Sequence, residues 1–532
     1  MNETGRWERR IGAAAAVAIA LLGIALLGAV AATGIKQGAA SWDSSLTQLL
    51  SFTLFQAALS TLLSLAVGLA VARALVYQPG FFGRRFLVML LSVVPVLPVM
   101  TVILGIVGIY GRNGWLNEVL RSLTGSEGGA FLYGLAGIVL AHVYLNGAYI
   151  ARTLLEAYGT IPAAHFKLAA SLGLGSLRRF VVVEWPALRA AAASAAVTVF
   201  LLCFGSFAVV LVLGGSPRYN TLEVALYEAL RLEFDIPRAV LIAAVQLGAA
   251  LALLLPASLI AAAPDIGAPH RGVGYIGTPF VRTLRRAWLT AATLFFALPL
   301  LYVAVSGLRA PFTTLMGSKS FWSALTLSLQ TATLASLFAV LLAYALAAAK
   351  RRWLLAVPPK RLTAQVVTVA GNLYLAVPSM VLALGFFLLS LQSALPPEAW
   401  AFVALVAANT LVALPFALGL LYPKLYAAAR RYDKLARALG LKGRRRFRTV
   451  EWPLVRRSVG YVAALAFCFS LGDVGVIALF GSEGFTTLPW YLYSLMGSYR
   501  MDEAAGVAMV LTVLSVAVFW LLPRLIGGKE DA

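Results

Sequence analysis

The sequence predicts an all-α integral membrane protein with about twelve transmembrane helices arranged as two parallel six-helix repeats. Three observations lead to this fold class. Of the 532 residues, 61% are hydrophobic and 12% are charged, whereas a soluble domain carries about 25% charged residues. Apolar stretches long enough for a helix to cross the roughly 30 Å hydrocarbon core recur along the whole chain. In addition, one 23-residue pattern occurs twice.

Twelve apolar stretches are predicted to span the membrane. The first follows Arg6, Arg9 and Arg10, but it is longer than the apolar region of a typical signal peptide and lacks a clear cleavage site, so we interpret it as a retained helix. In chain order the stretches are 11–34, 51–75, 86–111, 130–154, 190–214, 239–263, 287–308, 321–349, 362–392, 401–423, 460–481 and 504–526.

The basic residues indicate the orientation of these spans. An even number of spans places both termini on one side, and that side holds 34 of the 43 Lys and Arg residues. Basic loops remain in the cytoplasm, so the sequence predicts a multi-pass inner (plasma) membrane protein with cytoplasmic termini. Topology and contact with membrane lipid account for the net charge of +22 without a nucleic-acid partner. The predicted outer loops carry acids that include Asp43, Glu118, Glu127, Glu223, Glu233, Asp235, Glu398, Glu483, Asp502 and Glu503.

An internal repeat divides the chain into halves. Residues 167–189 match residues 434–456 at 14 of 23 positions with a constant offset of 267, and the same offset pairs Gly205 with Gly472. Six spans per half make both halves cross in the same direction, which leaves a pathway along their shared axis. We therefore predict an N-terminal half, a cytoplasmic linker rich in Pro and Gly, and a C-terminal half, at residues 1–263, 264–286 and 287–532.

The repeated pattern lies in two predicted cytoplasmic loops, 155–190 and 424–457. Each is interpreted as a short helix that ends at a glycine, a basic turn, and a second helical piece that stops before Glu-Trp-Pro. Gly173 and Gly440 suit the left-handed position that follows a helix, and Pro186 and Pro453 suit the first turn of the next helix. Both copies keep Leu and Ala residues that a water-facing loop does not need. This predicts insertion into two equivalent clefts of a dimeric partner.

These loops resemble the characteristic EAA loop of type I ATP-binding cassette (ABC) importer permeases, whose glycine-to-proline interval recurs at 173–186 and 440–453. Lys167 and Lys434 stand where that family commonly has an acid. Among members with fused halves, the chain resembles the permeases of bacterial thiamine importers, through IYGRNGWL (109–116), LAHVYLN (140–146), GDVGVIALFG (472–481) and TLPWYLY (487–493). Fused ferric-iron permeases share the architecture, so ferric iron is the alternative substrate.

The resemblance implies a translocation subunit that is not itself an enzyme and holds no cofactor. It implies that ATP and Mg are bound by a homodimeric ATP-binding subunit on the cytoplasmic face, and that a periplasmic or extracellular substrate-binding protein docks on the outer face. In agreement, Gly527-Gly528-Lys529 continues with Glu530 and does not complete a phosphate-binding loop. The residues implied in coupling to the ATPase are Lys167, Leu168, Ala169, Gly173, Lys434, Leu435, Ala436 and Gly440.

Candidate pathway residues are few. Asp473 aligns with Ser206 of the first half, and we expect it either to face a cationic substrate such as thiamine or to pair with a neighbour near the outer boundary. For His142 an interhelical hydrogen bond is favoured over a proton relay. Two Cys and three His residues argue against a metal site. An ion-coupled secondary transporter is a further alternative, although Asp473 would be nearly its only intramembrane charge. The outer segments 218–235 and 483–503 are predicted to contact the binding protein.

Overall fold

The computed structural model describes residues 3–37, 41–125, 131–215, 217–260, 278–482 and 484–528. Within these ranges the chain forms helices and no β-strand, as expected where lipid cannot satisfy backbone polar groups. Among the described residues, eleven helices are long and apolar enough to cross a membrane, or twelve if a bent pair counts as one span. The predicted fold class is confirmed. Residues 264–277 of the predicted linker, and the predicted outer-loop acids Glu127 and Glu483, lie outside the described residues.

The described part of the first half contains twelve helices, six of which have ten residues or fewer. Asp43 caps the second of these helices by accepting the Leu46 N–H at 2.7 Å, and this hydrogen bond lowers the pKa of the Asp43 carboxyl. The helices are α1 (Glu3–Gln37), α2 (Ser44–Tyr77), α3 (Arg84–Val93), α4 (Val99–Tyr110), α5 (Trp115–Thr124), α6 (Leu135–Tyr158), α7 (Ala163–Ser171), α8 (Ser176–Arg179), α9 (Trp185–Phe204), α10 (Ala208–Leu213), α11 (Leu222–Tyr227) and α12 (Ile236–Ile260).

The second half repeats this order. Its first helix begins at Pro279, so the last eight residues of the predicted linker, 279–286, are helical. The helices are α13 (Pro279–Leu308), α14 (Phe312–Gly317), α15 (Lys319–Leu354), α16 (Arg361–Asn372), α17 (Ser379–Ser390), α18 (Pro397–Ala438), α19 (Gly443–Arg446), α20 (Trp452–Leu471), α21 (Gly475–Phe480), α22 (Leu488–Gly497) and α23 (Met501–Gly527).

Two predicted spans, 86–111 and 362–392, are each broken into two helices. The first breaks between α3 and α4 at Pro98, and the second breaks between α16 and α17 at Pro378 with a bend of 94°. Proline lacks an N–H and disfavours the helical conformation of the residue before it. Each half therefore contains a proline tip, which we define as residues 94–99 in the first half and 373–379 in the second.

The two halves exchange their first helices. Helix α1 packs on α15, α16 and α17 of the second half, and the Tyr374 hydroxyl donates to the Ile19 carbonyl at 3.0 Å. Helix α13 packs correspondingly on α4 and α2 of the first half, and the Tyr144 hydroxyl donates to the Phe296 carbonyl at 2.8 Å. Glycines allow the close approach; a Cβ on Gly105, for example, would lie 2.5 Å from the Pro299 carbonyl oxygen. The halves are thus interlocked bundles.

Candidate functional site

A cavity of about 350 Å³ lies between the two halves. Both proline tips contribute to its wall, together with the ends of the long helices that face the axis between the halves. The cavity therefore occupies the position predicted for the pathway. Its lining includes Val96, Leu97, His142, Asn146, Tyr149, Ser206 and Phe207 from the first half, and Ser379, Phe416, Cys468, Phe469 and Asp473 from the second.

Asp473 and Ser206, the two predicted pathway residues, line this cavity together. The Asp473 carboxylate faces the backbone N–H groups of Val474, Gly475 and Val476 at the start of α21. Its Oδ2 atom is buried and has no hydrogen-bond partner among the described residues. A buried carboxylate oxygen without a partner is costly. This arrangement favours the first of the two expectations for Asp473, because no side chain of the described chain satisfies that oxygen.

His142 makes interhelical hydrogen bonds, as predicted. Its Nδ1 atom lies 3.0 Å from the Ser60 hydroxyl, and its Nε2 atom lies 2.9 Å from the Ser206 hydroxyl. Both ring nitrogens are therefore satisfied between α2, α6 and the segment after α9. The histidine holds the Ser206 side chain in a fixed position at the cavity wall.

Each proline tip packs against a glycine of the opposite half. A Cβ on Gly472 would lie 3.0 Å from the Pro98 Cα, and a Cβ on Gly205 would lie 3.6 Å from the Pro378 Cβ. The two glycines are the pair that the 267-residue offset aligns. These crossed contacts, defined as Pro98 with Gly472 and Pro378 with Gly205, border the cavity and join the halves beside it.

Glu223 does not lie in an exposed outer loop, and that prediction is wrong. Its side chain is fully buried in α11, and its Oε2 atom accepts the backbone N–H of Met380 from the second half at 3.2 Å. The Oε1 atom has no partner among the described residues and lies near Gly205. The sequence carried one signal for this position, since the Thr221-Leu222 pair directly before Glu223 recurs in the second half as Thr487-Leu488. The burial of Glu223, however, requires contact with the second half.

The two predicted coupling segments, which are the loops 155–190 and 424–457, have the same backbone geometry at Gly173 and Gly440. Gly173 and Gly440 have φ values of 63° and 65°. Across them, Leu174 N–H bonds to the Ala169 carbonyl at 3.0 Å, and Leu441 N–H bonds to the Ala436 carbonyl at 2.9 Å. These bonds define a Schellman cap, in which the glycine occupies the left-handed position. The predicted glycine conformation is confirmed in both copies.

Exposure divides the predicted coupling residues into two groups. Lys167, Lys434 and both glycines are exposed, and Leu168 and Leu435 are 59% and 55% exposed. Ala169 and Ala436 are each only 2% exposed. The leucines and lysines therefore form the surface that a partner could contact. The alanines pack inward and position the segment.

The structure corrects two details of the coupling loops. The predicted loop 424–457 begins within a helix, because α18 continues to Ala438, whereas the first half separates α6 from α7. The second helical piece also does not stop before Glu-Trp-Pro. It continues into α9 and α20 through π turns at Phe180–Glu184 and Phe447–Glu451. In each turn the tryptophan N–H bonds to the carbonyl five residues earlier, which accommodates the proline that lacks a donor.

The glutamate of the first Glu-Trp-Pro sequence anchors the first coupling segment to the membrane helices. Glu184 is fully buried. Its carboxylate accepts Arg73 Nε at 2.9 Å and the hydroxyls of Tyr77 and Tyr158, each at 2.7 Å. Arg73 also donates to the Ser176 carbonyl at 2.8 Å. The Glu184 carboxylate thus joins helices α2, α6 and α9, and Arg73 links this cluster to the start of α8.

Glu451 anchors the second segment through a longer chain of charges. It lies 3.1 Å from Arg351 and 3.0 Å from Arg446, and Arg446 also pairs with Asp433 in α18. Arg351 is fully buried and continues the chain to Glu8 of the exchanged helix α1 at 2.9 Å. Both Glu-Trp-Pro glutamates are therefore paired with arginine, Glu184 with Arg73 and Glu451 with Arg351 and Arg446. No local pattern in the sequence indicates Glu8, because its position depends on the exchange of α1 between the halves.

Comparison with known proteins agrees with this architecture. Residues 353–526 match the family described as binding-protein-dependent transport system inner membrane component. The chain is 38% identical over 534 residues to the thiamine transport system permease protein ThiP of Brucella abortus (strain 2308), covering 98% of this chain and 96% of that protein. This chain belongs to the ABC importer permeases. It is a multi-pass inner membrane permease with fused halves.

Two further relatives of this permease are similarly close. The Escherichia coli (strain K12) thiamine transport system permease protein ThiP is 37% identical over 91% of this chain and 90% of its own length. The Haemophilus influenzae protein of the same name is 36% identical over 90% of this chain and 88% of its own length. A permease of this family moves a solute in a transport system that depends on a binding protein. Family membership argues against the ion-coupled secondary transporter, and these relatives do not favour ferric iron.

Proposed function

We propose that this permease imports thiamine or its phosphates across the inner membrane. The relatives named as thiamine permeases match nearly the full length of the chain. The observation that carries the proposal at the site is the unpartnered Oδ2 of Asp473 at the wall of the cavity between the halves. A carboxylate in a low-dielectric cavity suits a substrate with a fixed positive charge.

The energy comes from a separate homodimeric ATPase that binds Mg and ATP on the cytoplasmic side. Two equivalent coupling segments, each with an exposed leucine and lysine before a left-handed glycine, offer such a dimer two matching contacts. Glu184 and Glu451 tie these segments to the long helices that border the cavity. Movement of the ATPase is thereby transmitted to the crossed contacts. In this arrangement both termini are cytoplasmic, and a substrate-binding protein delivers the solute to the outer face.

The direct test is transport by the reconstituted permease with its ATPase and binding protein in proteoliposomes. Radiolabelled thiamine should accumulate only when ATP is supplied to the ATPase, and an excess of ferric iron should not compete. Uptake that persists without ATP, in response to an ion gradient, would contradict the proposal. Accumulation of ferric iron in place of thiamine would replace the proposed substrate.

Asp473→Asn is expected to raise the KM for thiamine uptake about tenfold or more, because the variant keeps the shape of the side chain but loses the charge that faces the cation. Hydrogen bonds and contacts to charged groups contribute about 1.5–3 kcal/mol. Glu118→Gln, at an exposed acid of α5, is the matched control and should leave KM unchanged. An Asp473→Asn permease with the wild-type KM would rule out a substrate role for this carboxylate.

Gly173→Val and Gly440→Val are expected to uncouple ATP hydrolysis from uptake. No atom lies within 4 Å of a Cβ at either position, so the effect comes from the left-handed backbone, which costs about 1–2 kcal/mol for a residue with a Cβ. Gly175→Val is the matched control, since Gly175 lies in the same segment with ordinary φ and open space. We expect uptake per ATP hydrolysed to fall about fivefold or more in the first two variants. Ordinary coupling in both would refute the assignment of these segments.

A further inference from the structure

Two aromatic residues adopt a backbone conformation that is rare for residues with side chains. Phe234 and Tyr499 have φ values of 57° and 59°, and they are the only residues other than glycine with positive φ in the described part of the chain. Each stands two residues before the first residue of the last long helix of its half, at Ile236 and Met501 respectively. The two aromatics therefore occupy equivalent corners of the duplicated fold.

Both corners are helix ends of the kind that glycine normally closes. The N–H after Tyr499 bonds to the Leu495 carbonyl at 3.0 Å, and the N–H after Phe234 bonds to the Ala229 carbonyl at 2.7 Å. The bond after Tyr499 spans five residues, as the Schellman caps at Gly173 and Gly440 do, whereas the bond after Phe234 spans six and follows the π turn Glu228–Leu232. Since the left-handed conformation is unfavourable for any residue with a Cβ, glycine would serve the backbone better at Phe234 and Tyr499.

The aromatic side chains do not compensate for this strain by packing within the chain. Phe234 is 77% exposed and Tyr499 is 89% exposed. Backbone strain at exposed residues is a marker of a functional constraint. The benefit of these two rings therefore lies in a contact outside this polypeptide.

The two corners lie on the face opposite the coupling segments, because α9 and α20 run from the coupling side to the far side, and α12 and α23 start their return at the corners. The first corner also touches the second half, since Arg231 donates to the Gly481 carbonyl at 2.8 Å. Charged residues of both signs flank the rings, with Glu233 and Asp235 beside Phe234, and Arg500 directly after Tyr499, where its Nε atom donates to Glu503 at 2.8 Å. This outer face thus presents two exposed rings, each bordered by charged side chains.

We propose that Phe234 and Tyr499 are twin anchors for the substrate-binding protein, one on each half of the permease. The proposal rests on the proposed function, in which such a protein delivers the solute. An exposed aromatic ring bordered by charged side chains fits an apolar pocket with a polar rim on a protein. Two equivalent anchors fit a partner that contacts both halves at once. The predicted contact segments 218–235 and 483–503 each contain one of these anchors.

The test compares Phe234→Gly, Tyr499→Gly and the double variant in the full permease–ATPase complex in nanodiscs. The Kd of the cell's thiamine-binding protein for the complex is measured together with the melting temperature of the complex. Each single variant should weaken docking at least about tenfold, as truncation of an aromatic interface anchor does. The melting temperature should not fall, because glycine relieves the left-handed strain. Phe82→Gly, at a fully exposed ring between α2 and α3 on the coupling side, is the control and should leave the Kd unchanged.

Three outcomes would overturn the proposal that Phe234 and Tyr499 anchor the substrate-binding protein. A wild-type Kd with a lower melting temperature would make the rings structural caps, and a wild-type Kd with poorer insertion into lipid would make them membrane anchors. Wild-type docking of the double variant would also exclude them. Docking is scored separately from thiamine uptake. A complex that binds the protein through these rings but does not transport thiamine would refute the proposed substrate and keep the anchors.

Discussion

Glu451→Ala is expected to lower the free energy of unfolding of the permease by about 3–5 kcal/mol, the range for removing one partner of a buried ion pair. The variant leaves Arg351 fully buried with only Glu8 as its counterion, and it leaves Arg446 with Asp433 alone. The loss should also free the second coupling segment from α15 and α1. We therefore expect ATP hydrolysis to continue in the complex while thiamine uptake falls.

Equilibrium unfolding in mixed micelles measures the first effect, and uptake per ATP hydrolysed measures the second. Glu156→Ala is the matched control, because Glu156 and its partner Arg152 form an ion pair in which both side chains are at least 40% exposed. Exposed pairs contribute about 0–1 kcal/mol, so this control should unfold nearly as the wild type does. Equal stability of the Glu451→Ala and Glu156→Ala variants would show that the buried charge chain does not hold the segment.

Gly472→Val is expected to reduce uptake at least about fivefold while ATP hydrolysis persists. A Cβ at this position already lies 3.0 Å from the Pro98 Cα, which is backbone and cannot move aside as a flexible side chain can. Overpacking of this kind costs about 1–3 kcal/mol, equivalent to about a 5- to 150-fold shift between two arrangements. The variant should therefore disfavour the arrangement in which the first proline tip rests on the second half.

The crossed contacts allow a graded comparison. Gly205→Val should have a smaller effect than Gly472→Val, because the nearest atom of Pro378 lies 3.6 Å from a Cβ at Gly205. Gly419→Val is the control, since nothing lies within 4 Å of a Cβ at that exposed position of α18. Uptake in proteoliposomes should therefore be lowest for Gly472→Val, intermediate for Gly205→Val and unchanged for Gly419→Val. Equal uptake by Gly472→Val and Gly419→Val would remove the crossed contacts from the transport mechanism.

The predictions from sequence held where a property depends on neighbouring residues. Long apolar stretches form membrane helices because the backbone has no other way to satisfy its polar groups in lipid. Gly173 and Gly440 adopt positive φ because the local Schellman cap demands it. The breaks at Pro98 and Pro378 were not predicted, because the apolar run around each proline is long enough for a membrane span.

The lining of the cavity between the halves could be predicted only in part. Asp473 and Ser206, which the repeat offset aligns, line one cavity, and their place in a pathway stays a prediction. Glu223 was misplaced because an acid between apolar spans usually faces water. Its burial depends on Met380, which is 157 positions away in the chain. No pattern within the sequence around Glu223 carries that information.

By itself, the sequence determined the membrane class, the duplication, the repeated glycine caps and the resemblance to importer permeases, because each follows from composition or from fixed spacing along the chain. Only the tertiary structure decided the exchange of α1 and α13, the crossed contacts and the partners of Glu184 and Glu451. The physical reason is that close packing and the pairing of buried charges join residues from different helices. Which helices meet is decided by the fit of the two halves as a whole.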